Sequence, residues 1–177
     1  TTQGERRTDR AVIAAGAWSH RLTAGLGDRL PLETERGYNT TLPPGAFDLR
    51  TQLTFSEHGF VVSRIGEGLR VGGAVELGGL QLAPNFRRSA ALLRRAKRFM
   101  PALKTDGGEP WMGFRPTLPD SLPVIDRSSA TDRILYAFGH GHLGLTQAAG
   151  TAEIVADLML GRDPGLKMRP FSAGRFG

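Results

Sequence analysis

The chain has 177 residues, 40% hydrophobic and 23% charged, enough for one domain or a domain and a fraction with a real core. It contains no cysteine, which removes disulfides, thiolate metal sites and thiol nucleophiles together, and its four histidines, His20, His58, His140 and His142, have no metal-ligand spacing, so no metal is expected. The net charge of +6 is carried mostly by arginine, while 24 glycines and 11 prolines point to the turns and short strands of a mixed α and β protein. The apolar run AVIAAGAW is far short of a membrane span and the polar TTQGERRTDR before it is no signal peptide, so the expectation is a soluble, cytoplasmic protein.

Ala11 to Gly16, AVIAAG, is a short continuous apolar run that predicts a strand buried on both faces. AWSHRLTAGLG then predicts a short helix closed by Gly25 or Gly27. From Pro31 to Leu77 the runs LETERGYNT, RTQLTF, GFVVSRIG and GLRVGGAVEL, separated by turn signals, predict an antiparallel sheet. Asn85 is placed to cap a helix over 85–103, in which Leu92, Leu93, Ala96, Phe99, Met100 and Leu103 form one apolar stripe with arginines opposite. An extended, proline-rich stretch EPWMGFRPTLPDSLPVID follows, then the strand RILYAF and a helix over about 143–160. Glu76 reads as a structural partner for an arginine rather than an acid catalyst, and Trp18 and Trp111 read equally well as core residues.

Gly139, Gly141 and Gly144 spell G-x-G-x-x-G between that strand and that helix. A dinucleotide-binding unit requires a second strand about 20 residues further on, ending in an acid that holds the ribose. Only sixteen residues follow Gly161 and they contain no apolar strand, so the unit cannot close. Two readings stay open: a helix N-terminus near Gly144 that stabilises a delocalised anion, flanked by His140 and His142, or a glycine-rich loop that merely joins strand to helix.

Four segments, AVIAAGAWSHRL, LPLETERGYNTTLP with GLRVGGAVEL, WMGFRPTLPDSLPVI, and FGHGHLGLTQAAGTAEIVADLMLG, together resemble the C-terminal half of the FAD-dependent D-amino acid oxidase and dehydrogenase family, which includes glycine and sarcosine oxidases. The likeness covers nearly the whole chain and is strongest to bacterial D-amino acid dehydrogenases. It implies an α/β (α+β) fold: residues 1–30 and 131–177 as parts of a split FAD-binding domain, and residues 31–130 as an antiparallel substrate-binding sheet with a flanking helix. It implies that Ala15, Gly16 and Trp18 lie near FAD, and that the turn of Gly139, His140, Gly141, His142, Leu143, Gly144, Leu145 and Thr146 lies against the flavin. Arg115 in GFRP would bind the substrate carboxylate, with His142 and Tyr38 as further substrate-side residues and no catalytic acid and base pair. An arginine followed by proline has a restricted backbone, and its planar fork matches a carboxylate, although a surface ion pair would also account for one arginine among twenty.

The chain departs from the family in two places. The family's N-terminal glycine fingerprint is absent, so FAD binding is expected only when a missing N-terminal half or a partner subunit is supplied. Asp126 stands where the family usually has glycine. The competing reading is a non-catalytic module whose basic helix, in a stretch from Leu77 to Thr105 without a single acid, contacts a partner subunit, an anionic membrane surface or nucleic acid. Nucleic acid is not expected, because no aromatic stacking platform accompanies the charge, whereas a peripheral membrane contact remains compatible with either reading.

Overall fold

The computed structural model describes residues 2–177, which divide into two units. One unit holds the residues up to Thr34 and those from Arg115 to Gly177; the other is Glu35–Phe114.

The first unit is built on a three-stranded sheet. β1 (Ala11–Ile13) pairs in parallel with β8 (Ile134–Phe138), and β8 pairs antiparallel with β7 (Val124–Arg127), giving the order β1-β8-β7. The chain rejoins this unit at Arg115, and Leu118 and Val124 pack with Tyr136 and Phe138 in its core. β1 differs from the fully buried strand expected of AVIAAG. It pairs on one side only, Ala11 and Val12 are exposed, and Ile13 alone packs against the core.

A 3-10 turn (Gly16–Trp18) and helix α1 (Ser19–Gly25) follow β1, as the glycine closure predicts. The last helix, α3 (Ala148–Leu160), begins five residues later than the apolar pattern suggests, because Leu143–Gln147 are turns. It buries none of its residues and ends at Gly161 in the left-handed region, φ 71°. Beyond it the tail forms two 3-10 turns, Arg169–Phe171 and Ala173–Phe176.

The second unit contains most of a five-stranded sheet of order β3-β4-β5-β2-β6: β2 (Glu33–Leu42), β3 (Leu53–Phe55), β4 (Phe60–Ile65), β5 (Gly68–Leu77) and β6 (Glu109–Thr117). The β3–β4, β4–β5 and β2–β5 pairings are antiparallel, as the short alternating runs predict, with a bulge at Tyr38/Asn39. Helix α2 (Arg87–Phe99) covers one face, burying Leu92 and Ala96 against Phe60, Val62, Leu69 and Val71, with Met100 and Leu103 completing the core. Each such large side chain contributes about 1.5–3 kcal/mol when removed from water. Phe55 stacks on Phe60 at 4.3 Å between centroids and Phe99 tilts against both.

Asn85 does not cap α2 as its position suggests. The helix starts at Arg87 with Phe86 at the cap position, while the Asn85 N–H donates to the Tyr38 hydroxyl at 3.0 Å and the Asn85 carbonyl accepts from Arg88 N–H at 3.1 Å.

Candidate functional site

Parallel pairing of β1 with β8, in the register Ile13↔Tyr136, makes both strands end at the same edge of the first unit's sheet. That edge, at the carboxyl ends of parallel strands, is where open α/β sheets bind nucleotides. Ala15, Gly16 and Trp18 follow β1 directly, with Trp18 N–H donating to the Ala15 carbonyl at 3.1 Å, and the turn from Gly139 to Thr146 follows β8. Two separately expected cofactor segments thus leave one sheet side by side.

The turn is shaped by glycine. Gly139 and Gly141 have φ of 88° and 53°, a region that costs an ordinary side chain strain, and a Cβ at Gly139 would sit 3.2 Å from Leu118 Cγ. The N–H groups of Gly144, Leu145 and Thr146 make no backbone hydrogen bond among the described residues, and Leu145 is 95% exposed. These three donors ahead of a 13-residue helix, together with its dipole, offer the partial positive charge that an anionic ring requires. The residues present therefore fit the isoalloxazine end of a flavin, and the apolar surfaces of Leu143 and Leu145 suit a flat ring system.

Arg115 lies beside this turn by chain geometry. Immediately after it, the Pro116 carbonyl accepts from Gly141 N–H at 2.7 Å and Thr117 bridges His140 in antiparallel fashion. Arg115 is half-buried, with its backbone restricted by Pro116. The structure thus brings together Arg115, His140 and Gly141, and carries His142, which is exposed, on the same turn.

His140 Nε2 lies 2.9 Å from Thr151 Oγ1 in α3, so its ring ties the turn to the helix; burial pushes its pKa below 6.5 and keeps it neutral at neutral pH. Tyr38 belongs to the other unit. It is fully buried, donates its hydroxyl hydrogen to Glu76 Oε2 at 2.5 Å and accepts from Asn85 N–H.

Three features escape the sequence. Glu76 is the hub of a part-buried charge network with Tyr38, Arg88 at 3.2 Å and the fully buried Arg36 at 3.7 Å, so its reading as an arginine partner is right, but the network around it has no motif. Asp28 accepts from Tyr136, Ser128 and Ser129, about a hundred residues away in sequence. Asp126 Oδ2 accepts from Ser172 Oγ at 2.7 Å and from Ala173 N–H at 2.9 Å, which gives the carboxylate at a family glycine position a use in fastening the tail. Among the described residues no cluster of three or more histidine and acidic side chains could hold a metal, and no helix is long and apolar enough to cross a membrane.

The D-amino-acid oxidase of Bradyrhizobium diazoefficiens is 43% identical over 180 residues, 99% of this chain and 43% of that protein. A D-amino acid dehydrogenase of Paramagnetospirillum magneticum is 38% identical over 183 residues, covering 99% and 42% respectively, so the chain spans under half the length of these relatives. Among solved structures, glycine oxidase from Geobacillus kaustophilus superimposes with a TM-score of 0.82 at 26% identity, over 98% of this chain and 47% of that one. Iminodiacetate oxidase from Chelativorans, at 21% identity and a TM-score of 0.79, shares the fold. Residues 1–158 match the DAO family of FAD-dependent oxidoreductases, and the chain belongs to that family.

Proposed function

We propose that this chain is the substrate-side and flavin-contacting portion of an enzyme that oxidatively deaminates D-amino acids. The observation that carries the reading is the tie between Gly141 N–H and the Pro116 carbonyl, which sets Arg115 next to the glycine turn at the carboxyl end of β8.

FAD, when bound, supplies at flavin N5 the acceptor for a hydride leaving the substrate Cα. Arg115 holds the substrate carboxylate through its planar fork, which fixes Cα and removes the entropy of orienting it. The neutral amine lone pair assists departure of the hydride, leaving an iminium ion that water hydrolyses to the 2-oxo acid and ammonium, so no protein acid and base pair is needed. The N–H groups of Gly144, Leu145 and Thr146 would stabilise the negative charge that accumulates on the reduced ring. His140, neutral and tied to Thr151, keeps that turn rigid, while His142 and Trp18 border the cofactor and substrate region.

The reading takes the pyrophosphate-binding half of the family fold as the partner that completes the site. It also assigns a peripheral contact with an anionic cytoplasmic membrane face to the exposed Arg87, Arg94, Lys97 and Arg98 of α2. The test is anaerobic mixing of the FAD-loaded full-length enzyme with D- and L-amino acids. Bleaching of the oxidised flavin band by D-amino acids with release of ammonium is expected; no bleaching by any of them would overturn the assignment.

A further inference from the structure

Leu143 N–H donates to the His140 carbonyl at 2.9 Å, so residues 140–143 close a tight turn with Gly141, at φ 53°, and His142 at its corners. The bond from Gly141 N–H to the Pro116 carbonyl, 2.7 Å, holds those corners beside the strand end that carries Arg115. Arg115, this turn and α3 all belong to one unit. The two histidines of the turn differ in use: His140 is half-buried and joined to Thr151 through Nε2, whereas His142 is exposed.

An amino acid whose carboxylate is held by Arg115 has its α-nitrogen one carbon away. At neutral pH that nitrogen is an ammonium, with no lone pair to assist a departing hydride. The hydride step itself needs no acid and base pair, but the proton has to leave before it, and that requires a base within hydrogen-bond reach of the nitrogen. The groups around the turn narrow the choice. Arg115 is a guanidinium and accepts nothing. The first turn of α3 and the Gly16–Trp18 turn contain no acid. On the segment after Pro116, Asp120 is engaged by Arg175, and Asp126 by Ser172 and Ala173. His140 is committed to Thr151. His142 is the imidazole that the turn turns outward, and imidazole takes and returns protons near neutral pH.

We propose that His142 is the base that takes the α-ammonium proton of the substrate held by Arg115. The proposal rests on the carboxylate reading of Arg115. One ammonium N–H bond breaks and one N–H bond forms on the imidazole, while the electron pair stays on the substrate nitrogen, where it assists the hydride leaving Cα. The Arg115 charge disfavours a second cation beside it, so the exposed ring passes the proton on to water and is restored for the next turnover.

The test follows flavin reduction by D-alanine in rapid mixing from pH 7 to pH 9, in the FAD-loaded full-length enzyme and in its His142→Ala, His142→Gln and Arg115→Ala variants. Both His142 variants are expected to lower the limiting reduction rate at pH 7 about 100-fold, with the dissociation constant for D-alanine changed less than about threefold. Their rates should then climb about tenfold per pH unit, tracking the neutral amine in solution, while the parent stays nearly level. Imidazole added to His142→Ala should restore part of the rate. An unchanged rate, or a fall that is equal at every pH, overturns the proposal.

Arg115→Ala should raise the dissociation constant and keep the parent's level profile. If no D-amino acid bleaches the parent, the proposed function fails; if the parent is bleached and the His142 variants keep its profile, this proposal falls alone. 2-Methylalanine has no hydrogen on Cα and cannot be oxidised, so its binding, read from the oxidised flavin band, reports on the site without turnover. Its dissociation constant in His142→Gln should match the parent's; loss of that binding would make His142 a structural part of the turn and overturn the proposal.

Discussion

Tyr136 donates its hydroxyl hydrogen to Asp28 at 2.5 Å, joining the strand that leads to the glycine turn to the loop after α1 across 108 residues of sequence. Burial alone would raise the Asp28 pKa, but hydrogen bonds from Ser129, Tyr136 and Ser128 outweigh it and hold the carboxyl below its ordinary 3.8. Burial, and then the Asp28 bond, push Tyr136 up to about 12. A raised folded pKa contributes stability that is complete below 10 and is lost as pH rises towards 12. Tyr136→Phe keeps the ring and loses the bond; denaturant unfolding should show a loss of about 1.5–3 kcal/mol at pH 7. The fall in stability between pH 10 and about 12 should become shallower in the variant.

Glu76 neutralises a buried cation. The Tyr38 hydrogen bond is the main cause of its lowered pKa, burial opposes it, and Arg88 and Arg36 add to the lowering. The stability it contributes is present above its ordinary 4.5 and is lost as pH falls through the lowered value. Glu76→Gln should lower Tm at pH 7 more than Arg88→Ala, because the first leaves the Arg36 guanidinium, wholly inside the protein, without its carboxylate. Equal Tm values for the two variants would contradict this.

These networks show what the sequence reveals and what it hides. The antiparallel strands, α2 with Leu92 and Ala96 inward, and the glycine-closed α1 follow from patterns a few residues long. The adjacency of Arg115 to the turn depends on Pro116 and Thr117 meeting His140 and Gly141, a pairing between segments more than twenty residues apart that no local period encodes. Asn85 misleads for the same reason. It has the chemistry of a cap, but the helix begins two residues later with Phe86 at the cap position, and Asn85 is instead tied through its N–H to the Tyr38 hydroxyl of a distant strand. β1 misleads in another way, since its apolar residues announce burial that its single paired edge in this chain does not supply.

Asp126 fastens the tail, and Asp120 does so again through Arg175 Nε at 2.7 Å. Asp126→Gly, the residue usual in the family at this position, should free the two terminal 3-10 turns. Limited trypsin digestion should then cut after Lys167 and Arg175 several times faster than in the parent, while the rest of the chain stays resistant. Unchanged digestion would show that Asp120 and packing of Phe176 suffice.

Burial of His140 favours its neutral form. Its folded pKa is depressed by burial, so its contribution is complete above 6.5 and is lost as pH falls below that value. Hydrogen exchange of the Gly141 N–H, which is bonded to Pro116, should lose protection between pH 7 and pH 5 beyond the intrinsic change in exchange chemistry.

The basic face of α2 is solvated, so Arg94→Glu with Lys97→Glu should leave Tm within about 1 kcal/mol equivalent of the parent. Under the proposed membrane contact the same pair should abolish co-sedimentation with vesicles rich in anionic lipid, and retained co-sedimentation would contradict that assignment to α2.

The central claim, that Arg115 presents an amino acid to the flavin at the carboxyl end of β8, is tested most directly by rapid-mixing flavin reduction in the FAD-loaded full-length enzyme. The dissociation constant for D-alanine, read from the concentration dependence of the reduction rate, should rise by about 10- to 100-fold in Arg115→Ala, the worth of about 1.5–3 kcal/mol for a hydrogen bond to a charged group. Arg115→Lys should recover only part of it, because a point charge cannot reproduce the fork. An unchanged dissociation constant in Arg115→Ala would contradict the account.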